Sequence, residues 1–194
     1  MNFTVEHMRE VSRIAESIDT SKIEEMIGLL AEVKSSGGRL FILGVGGSAG
    51  NASHAVNDFR KLANIESYAP TDNISELTAR TNDEGFETIF EGYLKISKLN
   101  SNDCIFVLSV GGGDLDKGVS KNLCRAIQFA KLCKARTIGI VGREDGFTQR
   151  HADKCLVIPP VNPSAITPHS EAFQAIVWHL MVSHPKLKSN ATKW

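Results

Sequence analysis

His54 and Asp58 carry side chains that suit metal binding and acid–base chemistry, and they lie four positions apart in a stretch with helical periodicity. In a helix this spacing places both on one face, where an imidazole and a carboxylate can reach one metal ion or one substrate. A solvated helix face with a weak His–Asp contact would produce the same spacing. Both interpretations stay open on spacing alone.

A glycine-rich loop precedes this helix. Leu40–Leu43 is a continuous apolar run, as expected of a strand buried on both faces, and Gly44–Ser48 (GVGGS) follows it. Glycine lets the backbone turn tightly, and free N–H groups at the start of a helix favour an anion, most often a phosphate. The loop is not a P-loop, because no Gly-Lys-Ser/Thr follows. It matches the loose dinucleotide pattern G-x-G-x-x-A, with Glu66 placed for a ribose, so a dinucleotide-dependent oxidoreductase is a weak further possibility.

Glu171 and His179 lie in the last predicted helix, which we expect to begin after Thr167-Pro168. Eight helical residues separate them by about 12 Å along the axis and about 80° around it, so they converge only if both side chains lean inward. His179 stands in the apolar run Ala175–Leu180. A satisfied core histidine and a ligand at a pocket wall both fit that position.

The composition sets limits on partners and compartment. The 194 residues are expected to form one domain, and Lys+Arg and Asp+Glu both number 22, so no overall field favours nucleic acid or anionic lipid. The four cysteines contain no C-x-x-C pair and are expected to be reduced core residues. Neither a signal peptide nor a membrane-spanning run is recognisable, and a soluble cytoplasmic protein is expected.

Helical and strand patterns alternate along the chain, which predicts a parallel sheet covered on both faces. The predicted helices are Thr4–Ile18, Ile23–Val33, Asn51–Leu62, Ser75–Arg80, Glu87–Ser97, Val119–Cys133, Phe147–Ala152 and the last helix to about Ser183; the predicted strands are Leu40–Leu43, Ile65–Ala69, Cys104–Leu108, Thr137–Val141 and Cys155–Ile158. Both glycine loops, after Leu43 and after Leu108, then lie at the carboxyl edge, where ligands bind. We expect the first two helices to contact another subunit as well, Asn82–Gly85 to be a turn, and the tail from Pro185 to be loosely held.

Four segments in a fixed order carry a family resemblance: GVGGSAGNASHAVND, LTARTNDEGFETIF, LSVGGGD, and the final helix with Glu171 and His179. They resemble the sugar isomerase (SIS) superfamily and, within it, the sedoheptulose-7-phosphate isomerases, also called phosphoheptose isomerases. The resemblance covers almost the whole chain. It implies an α/β fold, namely a flavodoxin-like three-layer αβα sandwich with a five-stranded parallel sheet. It also implies one SIS domain over residues 1–194, divided into an N-terminal helical pair (1–36), an α/β core (37–184) and a tail (185–194).

The resemblance also implies an activity. Family members are cytoplasmic homotetramers with active sites at subunit interfaces, and they convert sedoheptulose 7-phosphate to D-glycero-D-manno-heptose 7-phosphate. The product supplies heptose for bacterial lipopolysaccharide or capsule. The implied cofactor is one zinc ion per site, with no nucleotide cofactor and no nucleic-acid or membrane partner.

Site residues are assigned by position in the matching motifs. His54, Asp58, Glu171 and His179 match the zinc ligands, and the last three also match the acid–base positions. The implied substrate contacts are Gly46, Gly47 and Ser48 in the first loop, Asn82 and Asp83 after it, and Ser109, Val110, Gly111 and Asp114 in the phosphate loop.

The sequence also departs from the family pattern. The family usually has Glu at position 58 and Gln at position 171, and its phosphate loop is rich in Ser and Thr, whereas this loop has only Ser109. A non-catalytic SIS module that binds a sugar phosphate or a protein is therefore the alternative. We expect Asp114 to point away from the phosphate and to cap a helix that starts near Lys117.

Overall fold

A sheet of five parallel strands lies at the centre of the protein, whose computed structural model describes residues 2–192. The strands are β1 (Leu40–Leu43), β2 (Ser67–Tyr68), β3 (Cys104–Ser109), β4 (Arg136–Val141) and β5 (Lys154–Val157). Their order is β2-β1-β3-β4-β5, with every neighbouring pair parallel. This is the flavodoxin-like order, and it confirms the predicted fold class.

Helices cover both faces of the sheet. They are α1 (Phe3–Ser17), α2 (Thr20–Ser35), α3 (Gly47–Lys61), α4 (Ile74–Glu84), α5 (Ile89–Ile96), α6 (Lys121–Leu132), α7 (Phe147–His151) and α8 (Ile166–Ser183). Short 3₁₀ turns occupy Pro70–Asp72, Phe86–Thr88 and Pro163–Ala165. None of the helices within residues 2–192 combines the length and apolar character needed to cross a membrane.

The alternation of side chains along the strands produces two cores. Leu40 and Ile42 of β1 pack with α2, α3 and α8 on one face, while Phe41 and Leu43 pack with α5 and α6 on the other. Every residue of β1 and β3 is buried, which explains their unbroken apolar sequences. All four cysteines are free thiols, and burial raises the pKa of Cys155 to about 12.

The strand order reverses between β1 and β3, and this reversal positions the site. The chain leaves β1 through the first glycine loop and leaves β3 through the second, so both loops flank the crevice at the carboxyl edge. Both loops were predicted at this edge, and the prediction is confirmed.

The predicted turn at Asn82–Gly85 is wrong for its first three residues, because α4 continues to Glu84. Arg80 contacts Glu76 at 2.8 Å and Glu84 at 3.2 Å, and both pairs have the i,i+4 spacing that supports a helix. The helix ends at Gly85, whose φ of 91° few other residues adopt.

Several helix starts also differ from the prediction. Helix α6 begins at Lys121 rather than Val119, because Val119 and Asp114 exchange two backbone hydrogen bonds of 2.9 and 2.8 Å. Helix α8 begins at Ile166, so Thr167 is not its cap. Pro168 still lies in the first turn, where its missing N–H leaves no hydrogen bond unmade.

The prediction of a loosely held tail is wrong for its described part. Leu187 is fully buried, and the N–H groups of Ser189 and Asn190 donate to the carbonyl oxygen of Leu62 at 2.7 and 3.1 Å. The ammonium of Lys34 also donates to the carbonyl oxygen of Leu187 at 2.7 Å. The buried side chain of Leu187 and these hydrogen bonds therefore hold this segment against the end of α3.

Candidate functional site

The first glycine loop turns directly into α3. Gly46 has φ 62° and ψ −128°, a conformation open to glycine, and α3 then begins at Gly47, earlier than the sequence predicts. Ser48 consequently lies in the first turn of the helix. Its hydroxyl is buried and has no hydrogen-bond partner within residues 2–192. A buried hydroxyl without a partner at the start of a helix is a ready contact for a polar ligand.

Two hydrogen bonds from one side chain of α3 hold this helix against α8. The side-chain amide of Asn51 donates to the carbonyl oxygen of Glu171 at 2.9 Å and to Oε1 of Gln174 at 3.1 Å. Gln174 is fully buried, so this contact fixes how the two helices lie against each other. The pairing brings the middle of α3 close to the end of α8.

His54, Asp58 and His179 converge where these helices meet. Oδ2 of Asp58 lies 3.9 Å from Nε2 of His54 and 3.8 Å from Nε2 of His179, and the three candidate ligand atoms all lie within 4.8 Å of one another. The histidine side chains are 59 % and 47 % exposed and that of Asp58 is 15 % exposed, so solvent and substrate can reach the group. We call these three residues the open cluster.

The open cluster is built on a buried aromatic floor. Trp178 is fully buried, and its ring centroid lies 3.5 Å from that of His179 and 4.7 Å from that of His54. Within the apolar run around His179, Trp178 is therefore the buried residue, while His179 itself is at the surface. The interpretation of His179 as a core histidine is excluded.

One hydrogen bond identifies the ring nitrogen of His179 that carries a hydrogen. Its Nδ1 lies 2.7 Å from the carbonyl oxygen of Ala175, and a carbonyl can only accept, so Nδ1 carries the hydrogen. In the neutral ring Nε2 then presents a lone pair towards Asp58. Two imidazoles and a carboxylate suit a divalent ion such as zinc in donor type, and tetrahedral zinc ligands lie about 3.3 Å apart. The distances from Oδ2 of Asp58 to Nε2 of His54 and of His179, 3.9 and 3.8 Å, need to shorten only slightly to reach this value, so the three residues fit a metal ion.

The structure does not bring Glu171 into the open cluster. Its carboxylate lies against Gly47, where an added Cβ would approach Oε2 to 2.5 Å. A negative group at the start of α3 interacts favourably with the helix dipole. Glu171 therefore lies at the first substrate loop, beside the position predicted for the sugar phosphate.

The second glycine loop is rigid and mostly backbone. Ser109 accepts a hydrogen bond from the N–H of Gly112 at 3.0 Å, while the carbonyl oxygen of Gly112 accepts from N and Oγ1 of Thr148 at 2.9 and 2.7 Å. The N–H groups of Gly111 and Gly113 have no partner within residues 2–192. These two donors remain for an anion.

The carboxylate of Asp114 is bound to Lys117 and caps a turn, not the predicted helix. Its Oδ1 accepts from the N–H of Lys117 at 2.9 Å, and its Oδ2 lies 3.1 Å from the Lys117 ammonium. These hydrogen bonds hold the pKa of Asp114 below its usual range. Residues 115–118 form a turn, so the predicted helix near Lys117 is wrong.

Arg143 is a site residue that the sequence analysis missed. It follows β4 at the carboxyl edge and lines a cleft of about 270 Å³ together with Val110, Gly111 and Asp114. Its guanidinium has no ion pair or hydrogen bond in the described chain, whereas Lys117 is paired. A free cation beside two free N–H groups is suited to a phosphate. Its position two residues after a predicted strand was the available signal.

Asn82 and Asp83 lie apart from the open cluster. Both are exposed near the end of α4, and the amide of Asn82 donates to Oδ1 of Asp83 at 2.7 Å. Within residues 2–192 neither one hydrogen-bonds or ion-pairs with the cluster. Their predicted sugar contact stays a prediction.

Comparison with known proteins places this chain in a family. Residues 4–142 match the model of the SIS domain family. The chain is 30 % identical over 158 residues to the phosphoheptose isomerase of Geotalea daltonii, covering 79 % of this chain and 78 % of the relative. It is 28 % identical to that of Syntrophotalea carbinolica, covering 90 % of this chain and 87 % of the relative.

Solved structures agree on the fold. The phosphoheptose isomerase of Neisseria gonorrhoeae superimposes with a TM-score of 0.81 at 22 % identity, covering 93 % of this chain and 96 % of that one. The family-model match spans most of the chain, and the relative from Geotalea daltonii is covered over most of its length. The chain belongs to the SIS domain family and, within it, to the phosphoheptose isomerases.

Proposed function

We propose that this protein is an aldose–ketose isomerase that converts sedoheptulose 7-phosphate to D-glycero-D-manno-heptose 7-phosphate. The observation that carries the proposal is the open cluster, an accessible group of two imidazoles and a carboxylate, two members of which lie on the helix that follows the first glycine loop. The similar proteins are named phosphoheptose isomerases, which supports a heptose phosphate as the substrate. The reaction would take place in the cytoplasm, and its product would supply heptose for a bacterial surface polysaccharide.

The reaction moves one hydrogen from C1 to C2 of the sugar and another from the oxygen on C1 to the oxygen on C2. A base removes a proton from C1 of the ketose and an acid protonates the oxygen on C2, which gives an enediol. A proton then leaves the oxygen on C1 and another returns to C2, which gives the aldose. Carboxylate and imidazole can both exchange protons near neutral pH.

The residues of the open cluster divide these tasks in our proposal. Asp58 takes the proton from C1 and returns it to C2. His179 exchanges protons with the two oxygens through Nε2, which its Nδ1 hydrogen bond leaves free, whenever that nitrogen is not bound to a metal. Glu171, at the first substrate loop, is the alternative base. Gly46, Gly47 and Ser48 would hold the sugar end of the substrate.

Zinc is the proposed cofactor, with His54, Asp58 and His179 as ligands. Glu171, whose carboxylate lies against Gly47, is the alternative fourth ligand. When bound, zinc supplies a positive charge that polarises the sugar carbonyl and stabilises the enediolate. The donor set and the separations of 3.8 and 3.9 Å support this assignment.

The phosphate is proposed to bind at the second loop. Free N–H groups of Gly111 and Gly113, with the Arg143 guanidinium, replace the hydroxyl groups that this loop lacks. The small number of hydroxyls also favours the second candidate function, a non-catalytic SIS module that binds a sugar phosphate or a protein.

A homotetramer with shared sites is the proposed assembly. Phe3, Val5 and Met8 expose apolar side chains on α1, which a neighbouring subunit would cover. Asn82 and Asp83 are exposed and lie outside the open cluster, so in the tetramer they would contribute to the site of a neighbouring subunit. Light scattering at micromolar concentration is expected to show four chains. A monomer with full activity would refute shared sites.

The function is tested by incubating the zinc-loaded protein with sedoheptulose 7-phosphate and separating aldose and ketose phosphates. We expect conversion that His179→Ala removes, and no change when His184→Ala is made as a control, because His184 pairs with Glu24 away from the site. Tight binding of the sugar phosphate without conversion would instead support the non-catalytic module.

A further inference from the structure

A second group of metal-binding side chains lies at the other end of α8. His7 and Glu10 of α1 and His169 of α8 each offer a ligand atom, and these atoms lie within 4.8 Å of one another. We call these residues the closed cluster, because the side chains of His169 and Glu10 are only 4 % and 8 % exposed. From this geometry we infer that His7, Glu10 and His169 form a second site for a divalent transition-metal ion, of the zinc type.

The contacts within the closed cluster already order its donors. Oε2 of Glu10 lies 2.7 Å from Nε2 of His169, while Oε1 accepts from the amide of Asn162 at 2.7 Å. The ring of His7 stacks on that of His169 with centroids 4.5 Å apart. Asn162 orients the carboxylate from outside, as outer hydrogen-bond partners of metal ligands do.

The donor atoms of the closed cluster favour one kind of ion. Nε2 of His169 faces the Glu10 carboxylate and is the ring nitrogen that an ion would share with it. Nδ1 of His169, on the other side of the ring, is buried without a hydrogen-bond partner within residues 2–192 and stays outside the coordination. Two imidazoles and one carboxylate are a donor set that zinc prefers over magnesium or calcium.

Space for an ion and a route to it exist on one side of the group. A cleft of about 440 Å³ is lined by Phe3, Glu6, His7, Glu10 and Asn162, among others. In our proposal the ion enters from this cleft, and water completes the coordination. The Glu10–His169 hydrogen bond has to lengthen by about half an ångström to admit the ion, since tetrahedral zinc ligands lie about 3.3 Å apart.

The second site has a structural use, because α1 has little else to hold it. Only Glu10 and Ile14 of α1 are buried, while Phe3, Val5 and Met8 expose apolar surface. A metal ion shared by α1 and α8 would fasten the N-terminal helix to the core. The inference does not rest on the proposed function, since the closed cluster and the open cluster share no residue.

Metal content separates the two sites. The protein is equilibrated with buffered zinc, and zinc per chain is measured by mass spectrometry. We expect two ions in the wild type, one in His54→Ala/His179→Ala, one in His7→Ala and none in the triple variant. His7 is only partly buried, so its removal is not expected to unfold the chain. His184→Ala, the matched control, is expected to retain two.

A readout without turnover accompanies the stoichiometry. In the His54→Ala/His179→Ala background, zinc is expected to slow amide hydrogen exchange in α1, and adding His7→Ala is expected to abolish that effect. One ion in the wild type that His7→Ala leaves bound, with no zinc effect on α1, would overturn the second site. The proposed isomerase would survive that result, because its metal is lost only with the open cluster.

Discussion

Two groups with the same kinds of donors, two histidines and one carboxylate, occupy opposite ends of α8. In the open cluster the histidine side chains are about half exposed, and the ligand atoms stand 3.8 and 3.9 Å apart without hydrogen bonds between them. In the closed cluster His169 and Glu10 are buried and share a hydrogen bond of 2.7 Å.

The difference shows that surroundings, and not residue types, decide what such a group can do. An accessible group can accept a sugar oxygen and exchange protons with it, as a catalytic site requires. The buried side chains of the closed cluster, which the cleft beside α1 reaches, can fasten two helices but cannot admit a heptose phosphate. Each prediction below alters one side of this contrast.

The largest effect is expected from removing both histidines of the open cluster. His54→Ala/His179→Ala should lower turnover by about 10²–10⁴-fold, the range for loss of a general acid–base. The urea midpoint should change little, because both side chains are substantially exposed. Near-normal turnover in this variant would assign the chemistry elsewhere.

The next largest effect is expected from Trp178, the buried ring beneath the open cluster, and it is an effect on the free energy of unfolding. Trp178→Ala removes a fully buried ring and should cost about 3–5 kcal/mol of unfolding free energy in urea titrations. Leu132→Ala, at an exposed side chain of α6, is the control and should cost almost nothing. Equal losses in the two variants would contradict the assigned burial.

Substrate affinity should depend on Arg143, which belongs to neither cluster. Arg143→Gln should raise KM for a sugar phosphate about tenfold or more and leave kcat nearly unchanged, since a hydrogen bond to a charged group contributes about 1.5–3 kcal/mol. Lys117→Gln should have less effect because Lys117 is paired with Asp114. The reverse order would move the phosphate site towards Lys117.

Glu171→Gln should have the smallest effect. Its carboxylate lies at the start of α3, so the amide should cost about 0.3–1 kcal/mol of stability through the helix dipole. Turnover and zinc content should stay close to wild type if Asp58 is the base. A fall in turnover of about 10² or more would identify Glu171 as the base, and lost zinc would identify it as a ligand.

The sheet could be predicted because its information is local. Apolar runs such as Leu40–Leu43 and the glycines after them mark buried strands and the loops at their ends. Helix boundaries were less predictable, since α4 is extended by ion pairs of Arg80 and α6 is shortened by the Asp114–Val119 bridge.

The site could be predicted only in part, for the same physical reason. His54 and Asp58 share a helix face and were recognisable from spacing, whereas their approach to His179 depends on how α3 packs against α8. The closed cluster joins α1 to a helix more than 150 residues later in sequence, so no local pattern predicts it. Arg143 likewise becomes a candidate only when β3 and β4 lie side by side.

Proton exchange tests the central claim most directly. The zinc-loaded protein is incubated with sedoheptulose 7-phosphate in D₂O, and the sugars are examined by mass spectrometry and NMR. The account predicts an aldose phosphate that carries solvent deuterium at C2, with no label above background when His54→Ala/His179→Ala replaces the wild type. A fully metal-loaded protein that binds the ketose phosphate but neither converts it nor labels it would contradict the account.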